Sequence, residues 1–111
     1  MADLNSILAA LADPVRRSIV ERLISEGDKT VGEIVAPFAI SPPAISRHLQ
    51  VLEKAGLIER RVHRQWRLLR IRPEALREVE SWASRQRQHW AQALDRLDAA
   101  IAKDTPKGRK S

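Results

Sequence analysis

Hydrophobic residues recur every three or four positions along most of the chain, a spacing that is typical of helices with one buried face. Residues 4–12 predict a first short helix whose apolar side is formed by Ile7, Leu8 and Leu11. Strict alternation of apolar and polar residues, the mark of a half-buried strand, is rare along the chain. The pattern therefore favours a mainly α fold.

Two further helices are predicted by their end signals. Asp13 is a good N-cap, Pro14 suits the first helical position, and Gly27 suits the position just past the last turn. Thr30 and Glu33 have the spacing of a capping box, in which each side chain bonds to the backbone N–H of the other residue. A long second helix and a short third helix follow from these signals.

A fourth helix is predicted over residues 42–55, with its buried row at Ile45, Leu49 and Leu52. Ser41 is the expected N-cap, and Gly56 suits the left-handed residue of a Schellman end. Pro42 and Pro43 occupy the first two positions, where backbone N–H groups lack intrahelical partners, so that proline costs little there. Because Pro43 has no N–H, the Ser41 cap is expected to bond only to the amide of Ala44.

Residues 57–62 and 66–71, "LIERRV" and "WRLLRI", predict two strands of a hairpin around His63-Arg64-Gln65. The turn His63-Arg64-Gln65 contains no glycine, and histidine tolerates a positive φ better than most residues do. The sequence thus predicts a mainly α fold with one small β-hairpin (α+β), with about five helices and a two-stranded wing.

The last helix, predicted from residue 73 to about 103, has more apolar surface than one small domain can cover. The economical solution is a homodimer related by two-fold symmetry, although the row can also belong to the core of a monomer. Residues 1–104 are expected to form one domain that also carries the dimer contacts, and residues 105–111 a disordered polar tail. The predicted dimer contacts are Ile7, Leu8, Leu11, Val79, Trp82, Trp90, Leu94, Leu97 and Ile101.

The composition narrows the possible functions. The 111 residues include no cysteine, which excludes disulfides and thiolate metal sites. No apolar run is long enough to span a membrane, and the N-terminus does not resemble a signal peptide, so a cytoplasmic protein without membrane contact is expected. The chain carries 20 Lys and Arg against 14 Asp and Glu, and the segment 47–72 alone, with eight basic and two acidic residues, accounts for the excess. Clustered positive charge favours a polyanionic partner.

Two helices joined by a short turn and followed by a basic hairpin predict a winged helix-turn-helix that binds double-stranded DNA. Residues on the exposed side of the fourth helix near its start are expected close to the bases, and residues of its cap and of the hairpin are expected at the backbone or minor groove. The first group is Pro43, Ser46, Arg47 and Gln50; the second is Ser41, Arg60, Arg61, His63, Arg64 and Arg67. Pro43 offers a stiff apolar group suited to a thymine methyl.

Other chemistries have weaker support. Ser41, Ser46 and His48 lie close in sequence, but no carboxylate is placed to orient the histidine, so an enzyme is not expected and no cofactor is predicted. A metal site is not predicted either, although His89 with Asp95 and Asp98 leaves a ligand role open. The alternative function is a winged-helix module that binds protein or RNA without operator specificity.

The segments "LADPVRRSIVERL", "TVGEIVAPFAISPPAISRHLQVLEKAGLI" and "WRLLRI" resemble the ArsR family of bacterial winged-helix regulators. The resemblance covers residues 4 to about 101 and is most specific at residues 41–58. It implies a homodimer that binds a palindromic operator and represses transcription, and many members of the family release DNA when a metal or another inducer binds.

The chain departs from the family at its sensor sites. The third-helix cysteines of the thiolate sensors are missing from the stretch 30–38, and Trp82 and Ser84 stand where the other common site has ligands, although Asp95 and Asp98 match its second pair. The chain therefore resembles the branch of the ArsR family that lacks the usual metal-ligand motifs. A small-molecule inducer near Trp82 or Trp90 is possible but unidentified; the sequence also leaves open the operator, the target genes and whether the protein represses or activates.

Overall fold

The computed structural model describes residues 3–104. These residues hold five helices and three strands: α1 (Leu4–Leu11), α2 (Pro14–Glu26), β1 (Lys29–Thr30), α3 (Val31–Val35), α4 (Pro42–Lys54), β2 (Ile58–His63), β3 (Trp66–Ile71) and α5 (Pro73–Asp104). The predicted mainly α fold with a winged helix-turn-helix is confirmed. The predicted tail, residues 105–111, lies outside the described residues.

The described residues divide into two compact units, one on each side of the boundary between positions 79 and 80. The first unit contains α1 to β3 and the start of α5, and the second contains the rest of that helix. The single domain expected over residues 1–104 stays a prediction.

The core of the first unit is built from the apolar faces that the spacing predicts. Its largest fully buried side chains lie on α1 to α4, on the connection after α4 and on the sheet: Ile7, Ile19, Ile34, Ile45, Leu49, Leu52, Leu57, Ile58 and Leu69. Ile24 of α2 is apolar but lies outside this core and is 54% exposed. No polar or charged residue among those described is buried, so this core is held together by apolar packing.

The helix ends form as the sequence predicts. The Asp13 carboxylate accepts a hydrogen bond from the Arg16 N–H at 3.0 Å, and Gly27 has a φ of 86° just past the end of α2. Thr30 and Glu33 form both bonds of the capping box, at 3.1 and 2.8 Å. These short-range signals therefore fix where the helices begin.

The sheet has three antiparallel strands in the order β1-β3-β2, one more than the predicted hairpin. The added strand pairs Lys29 with Leu69 and Thr30 with Leu68. Two residues are too few to show an alternating pattern, which is why the sequence does not reveal the strand. Because Thr30 also caps α3, the sheet is joined directly to the first helix of the helix-turn-helix.

Candidate nucleic-acid interface

Helix α4, here called the recognition helix (Pro42–Lys54), has two well-defined ends. The Ser41 hydroxyl accepts a hydrogen bond from the Ala44 N–H at 3.3 Å, which confirms the predicted cap beside the two prolines. At the other end the Leu57 N–H bonds to the Leu52 carbonyl and the Gly56 N–H to the Glu53 carbonyl, both at 3.0 Å. These bonds form the predicted Schellman motif. The helix is therefore fixed in length and direction by local chemistry.

The recognition helix has one buried and one exposed face. Ile45, Leu49 and Leu52 are at most 1% exposed and anchor the helix in the core. The opposite face near the start carries Pro43, Ser46, Arg47 and Gln50, and all four are exposed. Within residues 3–104 no hydrogen bond or ion pair engages the side chains of Ser46, Arg47 or Gln50. Their donors and acceptors therefore face solvent on a rigid support.

A polar contact outside the core ties the recognition helix to α2. The Nη1 atom of Arg16 lies 3.4 Å from Nδ1 of His48, and the Asp13 carboxylate lies 3.8 Å from the same nitrogen. Arg16 also donates from Nε to the Ala10 carbonyl at 2.7 Å and from Nη2 to the Ala9 carbonyl at 3.3 Å. One guanidinium thus links the last turn of α1 to the recognition helix, a role that spacing along the sequence does not reveal.

The hairpin of β2 and β3, here called the wing (Ile58–Ile71), turns at Arg64 and Gln65. The positive φ falls on Arg64, at 58°, whereas His63 is the last residue of β2 and pairs with Trp66. The expectation that histidine would supply the positive φ is therefore wrong. A non-glycine residue in this region is strained, because its Cβ crowds the neighbouring carbonyl.

The cations of the wing and the adjacent Arg72 fall into two groups. Arg60 donates from Nε to the Glu53 carboxylate at 3.0 Å, and Arg70 and Arg72 lie within 3.8 to 4.0 Å of Glu59. Arg61, Arg64 and Arg67 are exposed, and no carboxylate among residues 3–104 lies within ion-pair distance of them. The three unpaired guanidinium groups stand towards the tip, so the available positive charge is concentrated there.

The residues expected at a dimer interface are distributed unevenly. Ile7 is 0% exposed within the core of the chain itself and has no surface to offer a second copy. Leu8 is 37% exposed, while Leu11 and Val79 are partly buried against the core. The remaining residues lie on the second unit and are exposed by 38 to 66%: Trp82, Trp90, Leu94, Leu97 and Ile101.

Two negative findings apply to the described residues. No group of three or more His, Cys, Asp or Glu side chains among residues 3–104 could hold a metal ion, and that search includes His89, Asp95 and Asp98. No helix in the same part of the chain is both long and apolar enough to cross a membrane.

An exposed polar face on a core-anchored helix, followed by a cationic wing, defines a winged helix-turn-helix of the DNA-binding kind. The model of a helix-turn-helix domain family matches residues 11–61. The solved structure of an ArsR family transcriptional regulator superposes with a TM-score of 0.71 and is 37% identical, covering 82% of this chain and 97% of that one.

Two curated relatives agree with this assignment. The transcriptional repressor SdpR of Bacillus subtilis is 44% identical over 55 residues, 50% of this chain and 60% of the repressor, so the match spans less than two thirds of SdpR. The HTH-type transcriptional regulator Rv2034 of Mycobacterium tuberculosis is 39% identical over 85 residues, covering 77% of this chain and 76% of that protein. The chain belongs to the ArsR family of DNA-binding transcriptional regulators.

Proposed function

We propose that the protein is a cytoplasmic, homodimeric repressor that binds an inverted-repeat operator through its recognition helix and its wing. The observation that carries the proposal is the exposed face of the recognition helix. Its polar side chains are unengaged within the described residues, whereas the opposite face is fully buried. A face of this kind can meet base edges without any rearrangement of the fold.

Base reading is assigned to the first two turns of the recognition helix. The Arg47 guanidinium can donate two hydrogen bonds to guanine O6 and N7, and the Gln50 amide can pair with adenine N6 and N7. Ser46 can contact either base, and Pro43 can contact a thymine methyl. Two of the donors with which helix N-termini bind anions are absent here, because residues 42 and 43 are both proline. This helix start therefore suits an apolar base contact better than a phosphate.

Backbone contacts are assigned to the wing and to the cap of the recognition helix. Arg61, Arg64 and Arg67 carry unpaired charge, and His63 and Ser41 add exposed polar groups. Arg60, by contrast, is held by Glu53, so its contribution to phosphate binding is expected to be smaller. Phosphate contacts fix the position of the protein on the duplex without reading its sequence.

The dimer is proposed to form through α5, with Leu8 of α1 as a further contact. Trp90, Leu94 and Leu97 are spaced by four and three residues and are 40 to 66% exposed, so they form an apolar row on one side of a helix. A second copy offers the same row, as two-fold symmetry requires. Two recognition helices in successive major grooves would then lie about 34 Å apart.

Selection of bound duplexes from a random library tests the whole proposal. We expect two half-sites in inverted orientation, with centres one helical turn apart. Binding is expected to weaken by about 10³- to 10⁵-fold between 50 and 200 mM salt if a dimer contacts roughly six to ten phosphates. Enrichment of a single half-site would contradict the dimer.

Failure to enrich any sequence, with no saturable binding at moderate salt, would instead favour the protein- or RNA-binding module. A ligand-gated repressor is distinguished by the same duplex. If a small apolar inducer binds near Trp82 or Trp90, it should change tryptophan fluorescence and release the DNA in the same concentration range.

A further inference from the structure

The wing carries two large apolar side chains close to its tip, in addition to its arginines. Val62 is 75% exposed and Trp66 is 55% exposed. Single exposed apolar residues are ordinary on protein surfaces, but here two of them lie next to the turn of the wing, beside the unpaired guanidinium groups of Arg61, Arg64 and Arg67. The pair points to a partner with both apolar and anionic surface.

The strand register places one apolar residue on each face of the wing. Val62 pairs with Arg67 on one face, and Trp66 pairs with His63 on the other. Arg61, two residues before His63 along β2, lies diagonally across from Trp66 on that second face. Each face of the tip therefore combines an apolar group with a cation.

The minor groove of DNA has the matching chemistry. Its walls are apolar deoxyribose rings, its rims are phosphates, and its floor carries the acceptors adenine N3 and thymine O2. The indole N–H is a donor with no acceptor capacity, and no residue among 3–104 accepts a hydrogen bond from the indole of Trp66. Guanine places an amino group on the groove floor, which offers a further donor where the indole needs an acceptor.

We propose that Trp66 reads the minor groove beside each half-site, donating from its indole N–H to adenine N3 or thymine O2 while its ring packs on deoxyribose. This proposal rests on the proposed function, because it needs the recognition helix in the adjoining major groove. Trp66 thereby gives the protein a preference for A·T over G·C pairs at positions that the recognition helix does not reach.

Inosine separates minor-groove reading from other effects of the flanks. An inosine·cytosine pair resembles G·C in the major groove but lacks the amino group in the minor groove. The base pairs that adjoin each half-site of the selected duplex are changed to A·T, I·C or G·C, and affinities are measured by fluorescence anisotropy. We expect A·T and I·C flanks to bind equally well and G·C flanks about 3- to 10-fold more weakly, the effect of one net hydrogen bond.

Two substitutions of Trp66 separate the contribution of the indole N–H from that of the aromatic ring. Trp66→Phe keeps an aromatic ring and removes the N–H, so it should bring the three flanks to similar affinity with a small loss overall. Trp66→Ala should also weaken binding to all three flanks, because ring packing is lost as well. Urea unfolding of both variants shows whether the fold is retained.

A direct observation completes the test. In protein labelled with 5-fluorotryptophan, the ¹⁹F resonance that disappears in Trp66→Phe belongs to Trp66, and it should shift when the operator duplex is added. Tight binding with an unchanged Trp66 resonance, equal affinity for all flanks, or I·C flanks behaving like G·C flanks would each overturn the proposal and leave the operator function intact. Loss of all saturable DNA binding would overturn the proposed function itself.

Discussion

The recognition helix and the second half of α5 carry similar apolar rows, yet the rows have opposite surroundings. Ile45, Leu49 and Leu52 are at most 1% exposed, whereas Trp90 and Leu97 are 66% and 55% exposed. The first row is covered by the chain itself, and the second has most of its surface open within a single copy. Apolar spacing therefore identifies the side of a helix that is buried in the functional state. It does not show whether that side is covered by the same chain or by another molecule.

The largest expected effect on stability comes from a substitution in the buried row of the recognition helix. Leu49→Ala should lower the free energy of unfolding by about 2–5 kcal/mol, because it removes a fully buried side chain and leaves a cavity. Gln50→Ala, one residue further on the exposed face, should change it by less than about 0.5 kcal/mol. Urea denaturation measures both, and equal costs would show that the recognition helix is not anchored as described.

Substitutions in the exposed apolar row of α5 should change dimerisation rather than folding. Leu97→Glu places a charge within the proposed interface and should weaken dimerisation by at least about 2 kcal/mol. Gln92→Glu adds the same charge on the opposite side of α5 and should leave dimerisation nearly unchanged. Sedimentation equilibrium distinguishes the two outcomes. If both variants stay dimeric, a different surface joins the copies.

Substitutions on the exposed face of the recognition helix should weaken DNA binding without changing the stability of the fold. Arg47→Ala should cost about 1–3 kcal/mol on the selected operator and much less on random DNA, because it removes the proposed bidentate contact with guanine. Arg47→Lys keeps the charge but loses the planar fork, and should recover only part of the affinity. Equal losses on operator and random DNA in anisotropy titrations would assign Arg47 to a phosphate instead.

The wing tip allows charge and backbone strain to be separated. Arg64→Ala and Arg64→Gly remove the same cation, so both should flatten the salt dependence of DNA binding by about one unit per subunit. Only glycine relieves the positive φ, so Arg64→Gly should be more stable than Arg64→Ala by about 1 kcal/mol. Thermal unfolding and salt titration together check the pair, and variants of equal stability would show that position 64 is unstrained.

The smallest expected effect is the change in stability when Asp13 is titrated at low pH. The hydrogen bond from the Arg16 N–H holds the pKa of Asp13 below its ordinary value of 3.8, with His48 and Arg16 as further causes. The stabilisation is therefore complete above pH 3.8 and is lost as the pH falls through the lower pKa of the folded state. Asp13→Asn preserves a capping oxygen without the titration, so its stability should fall less steeply than that of the wild type below about pH 4. Parallel stability profiles would rule out this linkage.

Local chemistry explains how much of the fold could be predicted. The caps at Asp13, Thr30 and Ser41 and the Schellman end at Gly56 each depend on residues a few positions apart, and all of them form. The buried row of the recognition helix follows from spacing alone.

Most of the features that the sequence did not reveal depend on a partner residue that spacing along the chain does not identify. Strand β1 pairs across some forty residues, and Arg16 reaches His48 over 32 residues. Ile7, Leu8 and Leu11 lie on the same apolar side of the first helix. The sequence therefore could not show that Ile7, unlike Leu8, is fully buried in the core of its own chain. The engagement of Arg60 by Glu53 was equally hidden, because a run of basic residues does not show which of them are paired.

The Arg60–Glu53 ion pair has a consequence for the DNA as well as for the protein. It joins β2 to the last turn of the recognition helix, and only three residues separate the end of that helix from the start of the wing at Ile58, so the two elements are connected both by a short stretch of chain and by an ion pair. One base pair inserted between a half-site and its flank would displace the flank by about 3.4 Å along the duplex and rotate it by about one tenth of a turn. If both elements contact DNA as proposed, this double connection opposes such a shift, so the operators should vary in sequence more readily than in the distance between half-site and flank.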